Sequence, residues 1–160
     1  MTTGYDVPAQ RLIEALTAEL RKMEAIKAEE WMQFVKTGRH REKAPVVPDW
    51  WYRRVAAVLR KVYIMGPIGT SRLAAEFGGS SDRGSKPNAA VKGSGSITRV
   101  ALQQLEKAGL VQRQKNQGRI VTPKGRAFVD DTAHSVFLEM SKSSPELEKY
   151  RSRVKVESET

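Results

Sequence analysis

A mostly α-helical fold is predicted by three observations in this 160-residue sequence: apolar residues recurring at helical spacing in several separate stretches, boundary residues placed at the ends of those stretches, and one pair of short strand-like runs. The most complete signal lies between Lys92 and Thr122. Ser94 or Ser96 caps a helix whose apolar line is Ile97, Ala101, Leu105 and Ala108, widened by Val100 and Leu102. Gly109 suits the position after that helix, where a missing Cβ removes the cost of a positive φ, and Leu110 can fold back onto the last turn. Leu110–Arg113 and Arg119–Thr122 then read as strands, with Asn and Gly in Gln114–Gly118 supplying turn geometry. Helix followed directly by a basic hairpin is the order of a winged-helix-like domain, here with additional N-terminal helices and a small basic β-hairpin wing.

From the amino terminus, a few loose residues are expected before Pro8, which is tolerated in a first helical turn because its missing N–H would be unpaired there. A helical pattern follows from Pro8 to about Glu29, with Leu12, Ile13, Leu16, Leu20 and Met23 on its apolar side; a break between Arg21 and Ala25 is open but unmarked by Gly or Pro. Its acidic members Glu14, Glu19 and Glu24 suit support or partner packing. The spacing of Trp31, Phe34 and Val35 predicts that they pack together against apolar surface. Lys36–Lys43 is a basic loop closing on Pro45, Pro48 and Asp49, and the prolines hold it extended. Its His40, set among cations, suits exposure or a phosphate contact better than metal binding.

Asp49 is placed to cap a helix over Trp50–Tyr63. Projection puts Trp51, Tyr52, Val55, Ala56, Val58, Leu59, Val62 and Tyr63 on a broad buried side and Arg53, Arg54, Arg60 and Lys61 opposite. Trp50 projects among those cations, where an indole can stack on a base or cover the adjacent loop. After the turn Met65–Gly69, a short helix carries Leu73, Ala74 and Phe77 inward and ends at Gly78. The span from Gly78 to Gly93 is too long for a helix-turn-helix turn and reads as a long basic loop bearing Arg83, Lys86 and Lys92. Its glycines match neither GxxxxGK[ST] nor GxGxxG. Thr122 or Pro123 opens the last helix, with Phe128, Val129, Ala133, Val136, Phe137 and Met140 suggesting the packed side and His134 structural or half-exposed. Beyond Met140 apolar content drops, so residues 141–160 are expected to form a polar tail.

The charge is strongly and unevenly basic: 28 Lys plus Arg against 18 Asp plus Glu, a net of +10. Residues 36–126 hold 19 basic and 5 acidic residues, a net of +14, while both flanks are slightly acidic. A polyanion is therefore the first partner to consider, with nucleic acid ahead of a membrane surface because the apolar residues are committed to core stripes. No cysteine is present, which excludes disulfides and thiolate zinc sites. The absence of a leader-like start or an apolar run of membrane length leads to an expectation of a soluble intracellular protein. Adjacent acids such as Asp130-Asp131 and Glu29-Glu30 do not share a helix face, and no His, Asp or Glu signature gathers, so neither an enzyme nor a metal or cofactor site is expected.

Three runs, WMQFVKTGRHREKAPVVPDWWYRRVAAVLRKVYIMGPIGTSRLAAEFGG, DRGSKPNAAVKGSGSITRVALQQLEKAGLV and GRIVTPKGRAFVD, resemble in order and content the archaeal and eukaryotic protein-nineteen family of the small ribosomal subunit, a type unrelated to the bacterial protein of that number. The resemblance implies a single winged-helix-like RNA-binding domain over 1–140: an N-terminal helical region at 5–35, a basic loop at 36–49, a central helix at 50–63, a long basic loop at 78–93, helix and wing at 96–122 and a C-terminal helix at 123–140. It also implies binding to small-subunit ribosomal RNA of the head, contact with neighbouring small-subunit proteins, support of subunit maturation, and a cytoplasmic, ribosome-associated protein that is a monomer when free.

The same surfaces emerge from charge and projection. The candidate RNA-binding residues are Lys36, Arg39, Arg41 and Lys43 on the first loop, Trp50, Arg53, Arg54, Arg60 and Lys61 on the central helix, Arg83, Lys86 and Lys92 on the second loop, and Arg99, Lys107, Arg113, Lys115 and Arg119 around the helix and wing. Most contacts are expected to be to phosphates, since the deep, narrow groove of A-form RNA does not admit a reading helix. The alternative is a DNA-binding winged-helix transcriptional regulator, which would require the Ile97 helix to reach base edges.

Overall fold

A computed structural model describes residues 2–143. In chain order its elements are α1 (Ala9–Arg21), a 3₁₀ turn (Glu30–Gln33), α2 (Trp50–Met65), α3 (Thr70–Glu76), β1 (Gly79–Ser81), β2 (Ala89–Val91), α4 (Gly95–Lys107), β3 (Val111–Gln114), β4 (Gly118–Val121) and α5 (Pro123–Ser143).

Helix α2 lies at the centre because its apolar residues span more than one face. Trp51, Val55, Ala56, Val58, Leu59 and Val62 are all buried, and α1 and α4 both pack on α2. Leu12, Leu16 and Leu20 come from α1; Ile97, Ala101, Leu102 and Leu105 come from α4. Helix α5 closes the far side, packing on α1 and burying Val129, Ala133, Val136 and Phe137. Each fully buried leucine or valine contributes about 1.5–3 kcal/mol of transfer free energy, so this shared stripe sets the relative positions of the helices.

Helices α2, α3 and α4 followed by the β3–β4 hairpin form the winged-helix core. Ser94 is the cap of α4, its Oγ accepting from the Ile97 N–H at 3.4 Å. Gly109 has φ +73°, and the Leu110 N–H closes onto the Leu105 carbonyl at 3.1 Å, which turns the chain directly into β3. The wing pairs Val111 with Val121 and Gln114 with Gly118, each strand lying within one residue of its expected limits. Ile68, between α2 and α3, adds a third rung: its N–H and carbonyl exchange hydrogen bonds with Arg119 at 3.0 and 2.9 Å. Thr122 caps α5 by accepting from the Gly125 N–H at 3.0 Å.

The structure corrects several expectations. Residues 78–93 do not form an irregular loop: β1 and β2 pair antiparallel, Gly79 opposite Val91 and Ser81 opposite Ala89, leaving only 82–88 as a tip. Of the two readings left open for the first helix, the break is the one found: α1 stops at Arg21, where the Lys22 and Met23 N–H groups turn to the Glu19 and Leu20 carbonyls, and Ile26 and Met32 beyond it are buried. The amino terminus is tied down, since Gly4 is buried and donates to Asp130 Oδ1 at 3.0 Å. Asp49 precedes α2 without capping it; its carboxylate pairs instead with Arg21 at 3.2 Å. Phe34 does not pack with Trp31, because the 3₁₀ turn ends at Gln33 and leaves the ring 83 % exposed. No helix among the described residues is long and apolar enough to cross a membrane.

Candidate nucleic-acid interface

The outer face of α4 carries Ser96, Arg99 and Gln103, spaced by three and four residues and all exposed. A polar cleft of about 420 Å³ lies between this face and the wing, and it brings together Arg99, Gln103, Arg113, Asn116, Thr70 and Arg119. Arg119 is committed to the framework: its Nε and Nη2 donate to both Glu106 carboxylate oxygens at 2.8 and 3.3 Å, and its Nη1 reaches Thr70 Oγ1 at 3.4 Å. This two-pronged pair fixes the wing against α4 rather than leaving Arg119 free for a ligand. Arg99 and Arg113 make no ion pair among the described residues.

A second cleft, of about 710 Å³, opens at the amino-terminal end of the same helix, between the cap Ser94 with Ser96 of α4 and the segment from Trp31 to Arg39. The basic loop is zipped onto α4 here: Gly38 bridges Gly93, and the Ser94 N–H donates to the Thr37 carbonyl at 3.0 Å. His40 packs its ring against Gly38 and Gly79, so close that a Cβ built on either glycine would fall within 3 Å of the imidazole. Of the exposure or phosphate contact expected, full exposure is not found: His40 is half-buried, and its Nδ1 has no hydrogen-bond partner among the described residues. Beyond it, Arg41 and Lys43 line a third cleft of about 560 Å³.

The cations of α2 divide by partner. Arg53 pairs with Glu14 at 3.5 Å and Lys61 with Glu76 at 2.7 Å, the latter holding the Glu76 carboxyl below its usual pKa. Arg54 and Arg60 have no such carboxylate among the described residues. The Arg54 guanidinium stacks 4.5 Å above the Phe77 ring, and burial, with the neighbouring Arg41 cation, pushes its pKa down. Guanidinium remains charged under ordinary conditions, so the unfavourable setting is a cost to the free protein that an arriving anion would offset. Arg60 Nε is likewise buried without an acceptor among the described residues. Trp50 is committed to the protein as well as lying three and four residues before Arg53 and Arg54: its ring meets Trp51 edge-on at 5.6 Å and packs, half-buried, on the core.

Arg83 and Lys86 stand exposed on the β1–β2 tip, where Asp82 Oδ1 accepts from the Gly84 N–H at 2.9 Å. Lys92, at the base of that hairpin, donates to Ser71 Oγ at 3.1 Å. Lys107 and Lys115 are exposed at the end of α4 and the tip of the wing. Among the described residues no three His, Cys, Asp or Glu side chains gather as a metal site.

Two residues that shape the interface were not singled out by the sequence. Gln104 is buried in α4, accepting from Trp51 Nε1 at 2.9 Å and donating to the Lys27 carbonyl at 2.8 Å. Its signal was present, since position 104 falls seven residues after Ile97 on the core line. Glu106, the partner of Arg119, carried no comparable signal.

Comparison with known proteins places these features in a family. The model of the family described as ribosomal protein S19e matches residues 3–139. The small ribosomal subunit protein eS19 of Haloarcula marismortui is 47 % identical over 155 residues, covering 94 % of this chain and 99 % of its own. That of Aeropyrum pernix is 42 % identical, with the same coverage of each chain. The eS19A protein of Schizosaccharomyces pombe is 40 % identical, covering 85 % of this chain and 94 % of its own.

Proposed function

Because the chain belongs to the ribosomal protein S19e family, we propose that it is a structural component of the small ribosomal subunit that binds ribosomal RNA of the subunit head and supports its folding and maturation. One observation carries the RNA-binding part: the exposed strip Ser96, Arg99, Gln103 runs along α4 with a cation-lined cleft at each end. A phosphate backbone crossing that strip meets Lys36, Arg39 and Lys92 at one side and Arg99 and Arg113 at the other.

In this reading Arg41, Lys43, Arg54 and Arg60 extend the surface toward α2, while Arg83, Lys86, Lys107 and Lys115 reach outward from the hairpin tip, the end of α4 and the wing. Arg53, Lys61, Arg119 and Trp50 keep the framework in place through their protein partners. The work is charge neutralisation and positioning rather than catalysis, so affinity depends steeply on salt. The partners are ribosomal RNA and neighbouring small-subunit proteins, the protein is a monomer when free, and its location is the ribosome of the cytoplasm.

The test replaces Arg99 and Arg113 together by glutamate and measures binding to a head fragment of small-subunit ribosomal RNA across a salt series. Affinity and salt slope should fall together; an unchanged slope in a folded variant would remove the α4–wing cleft from the interface.

A further inference from the structure

Phe34 is 83 % exposed, whereas the other three phenylalanines are buried or half-buried. Its exposure is built in rather than a product of slack chain. The preceding 3₁₀ turn is anchored by Met32, which is 2 % exposed, and the Phe34 N–H closes onto the Trp31 carbonyl at 3.2 Å. Four residues later the Gly38–Gly93 bridge fixes the chain again. The ring is therefore held from a constrained backbone at the wall of the 710 Å³ cleft, beside the Lys36, Arg39 and Lys92 side chains. Among the described residues no acid lines that cleft, and neither Lys36 nor Arg39 has an ion pair.

An aromatic face ringed by cations and free of acids matches a nucleotide, which joins a flat π surface to flanking phosphates. A base inside a duplex has both faces covered by its neighbours, so the matching ligand is an unstacked one. We infer that this cleft receives an unpaired nucleotide of the RNA, its base stacked on the Phe34 ring and its adjoining phosphates held by Lys36, Arg39 and Lys92. The inference rests on the RNA-binding reading above and adds to it a mode of recognition that does not depend on charge alone. A phenyl ring offers no hydrogen bonds, so it accepts any base, and selectivity comes from where the RNA leaves a nucleotide unpaired.

The experiment uses the full chain and two fluorescent probes of equal charge, decaadenylate and an abasic ribose-phosphate decamer, with anisotropy read across a salt series. The wild-type chain should bind decaadenylate more tightly than the abasic strand. Phe34→Ala should weaken decaadenylate binding about 5- to 150-fold, the range expected for removing a base-aromatic stack, and leave the abasic strand unaffected. Phe34→Trp, which keeps a stacking face, should retain the wild-type preference. Lys36→Ala with Arg39→Ala should weaken both probes and reduce the salt slope by about 0.7 for each phosphate no longer neutralised. If Phe34→Ala leaves decaadenylate binding unchanged, or weakens both probes equally, the stacking site is wrong while the RNA surface stands. Unchanged RNA affinity with reduced incorporation into subunits would assign Phe34 to a protein neighbour and overturn the inference. A wild-type chain that binds neither probe nor ribosomal RNA would remove the RNA-binding reading itself.

Discussion

Replacing Gln104 by alanine removes the polar bridge that joins α4 to the rest of the core. Its amide spans Trp51 of α2 and the backbone of Lys27, at 2.9 and 2.8 Å. The two ends differ in consequence. Lys27 is an exposed residue whose carbonyl can turn to water, but Trp51 is 1 % exposed and its indole N–H donates to Gln104 alone among the described residues. Stranding that buried donor costs about 1–3 kcal/mol. The missing side-chain packing and the space left behind add about 1–2 kcal/mol. The expected loss is thus about 2–5 kcal/mol, a large share of the roughly 5–15 kcal/mol typical of a domain. Urea unfolding followed by tryptophan fluorescence reads it as a lower midpoint at an unchanged slope. Trp51→Phe and the double variant complete a cycle, and the coupling between the two positions should reach at least about 1 kcal/mol. A loss under about 1 kcal/mol with no coupling would refute the claim that this bridge locks the recognition surface to the core.

The wing offers a sharper backbone test. Gly118 has φ +107°, and a Cβ there would lie 2.4 Å from the Ile68 carbonyl oxygen, so Gly118→Ala should cost about 2–4 kcal/mol through strain and disruption of the third rung; thermal unfolding that barely moves would show that the wing does not need this close approach. Arg119→Met should lower stability more than Arg113→Met, since only Arg119 grips Glu106, whereas Arg113→Met should have the greater effect on the salt slope of RNA binding; urea midpoints and a salt series on both variants decide it. The Tyr63 pKa is pushed up to about 12, first by burial and then by its hydrogen bond to Asp130. A phenol whose folded pKa lies above its unfolded value contributes stability that is full below about pH 10 and lost as pH climbs toward 12. The difference in stability between wild type and Tyr63→Phe should therefore shrink over that window, and a difference constant from about pH 9 to 12 would contradict the assignment.

The legible parts of this fold were those set by local chemistry. The Ile97, Ala101, Leu105 line, the Ser94 cap and Gly109 specify α4 and its exit without reference to anything distant, and the wing follows from them to within a residue. The β1–β2 hairpin escaped because Gly79–Ser81 and Ala89–Val91 are too short to show alternation. Their pairing is set by close backbone approach: a Cβ on Gly78 would sit 2.3 Å from the Val91 carbonyl oxygen. The exposure of Phe34 is not legible, because helical spacing holds only as far as Gln33, where the chain leaves the 3₁₀ turn. The packing of Trp50 on the core is not legible, because projection in a first turn says nothing of Trp51 beside it. The candidate interface was legible as a set of cations but not as a working subset. Glu14, Glu76 and Glu106 each claim one of those cations across long stretches of chain, and only the assembled fold reveals which guanidiniums, such as Arg54 and Arg60, are left without a carboxylate among the described residues.

Co-sedimentation with ribosomal subunits from the protein's own cells, repeated after a moderately high-salt wash, bears most directly on the proposed role. The wild-type chain should be recovered in stoichiometric amount on the small subunit, and the variant with Arg99 and Arg113 reversed to glutamate should wash off at lower salt. Recovery only in the free pool, together with a preference for a duplex DNA sequence over ribosomal RNA, would contradict the account.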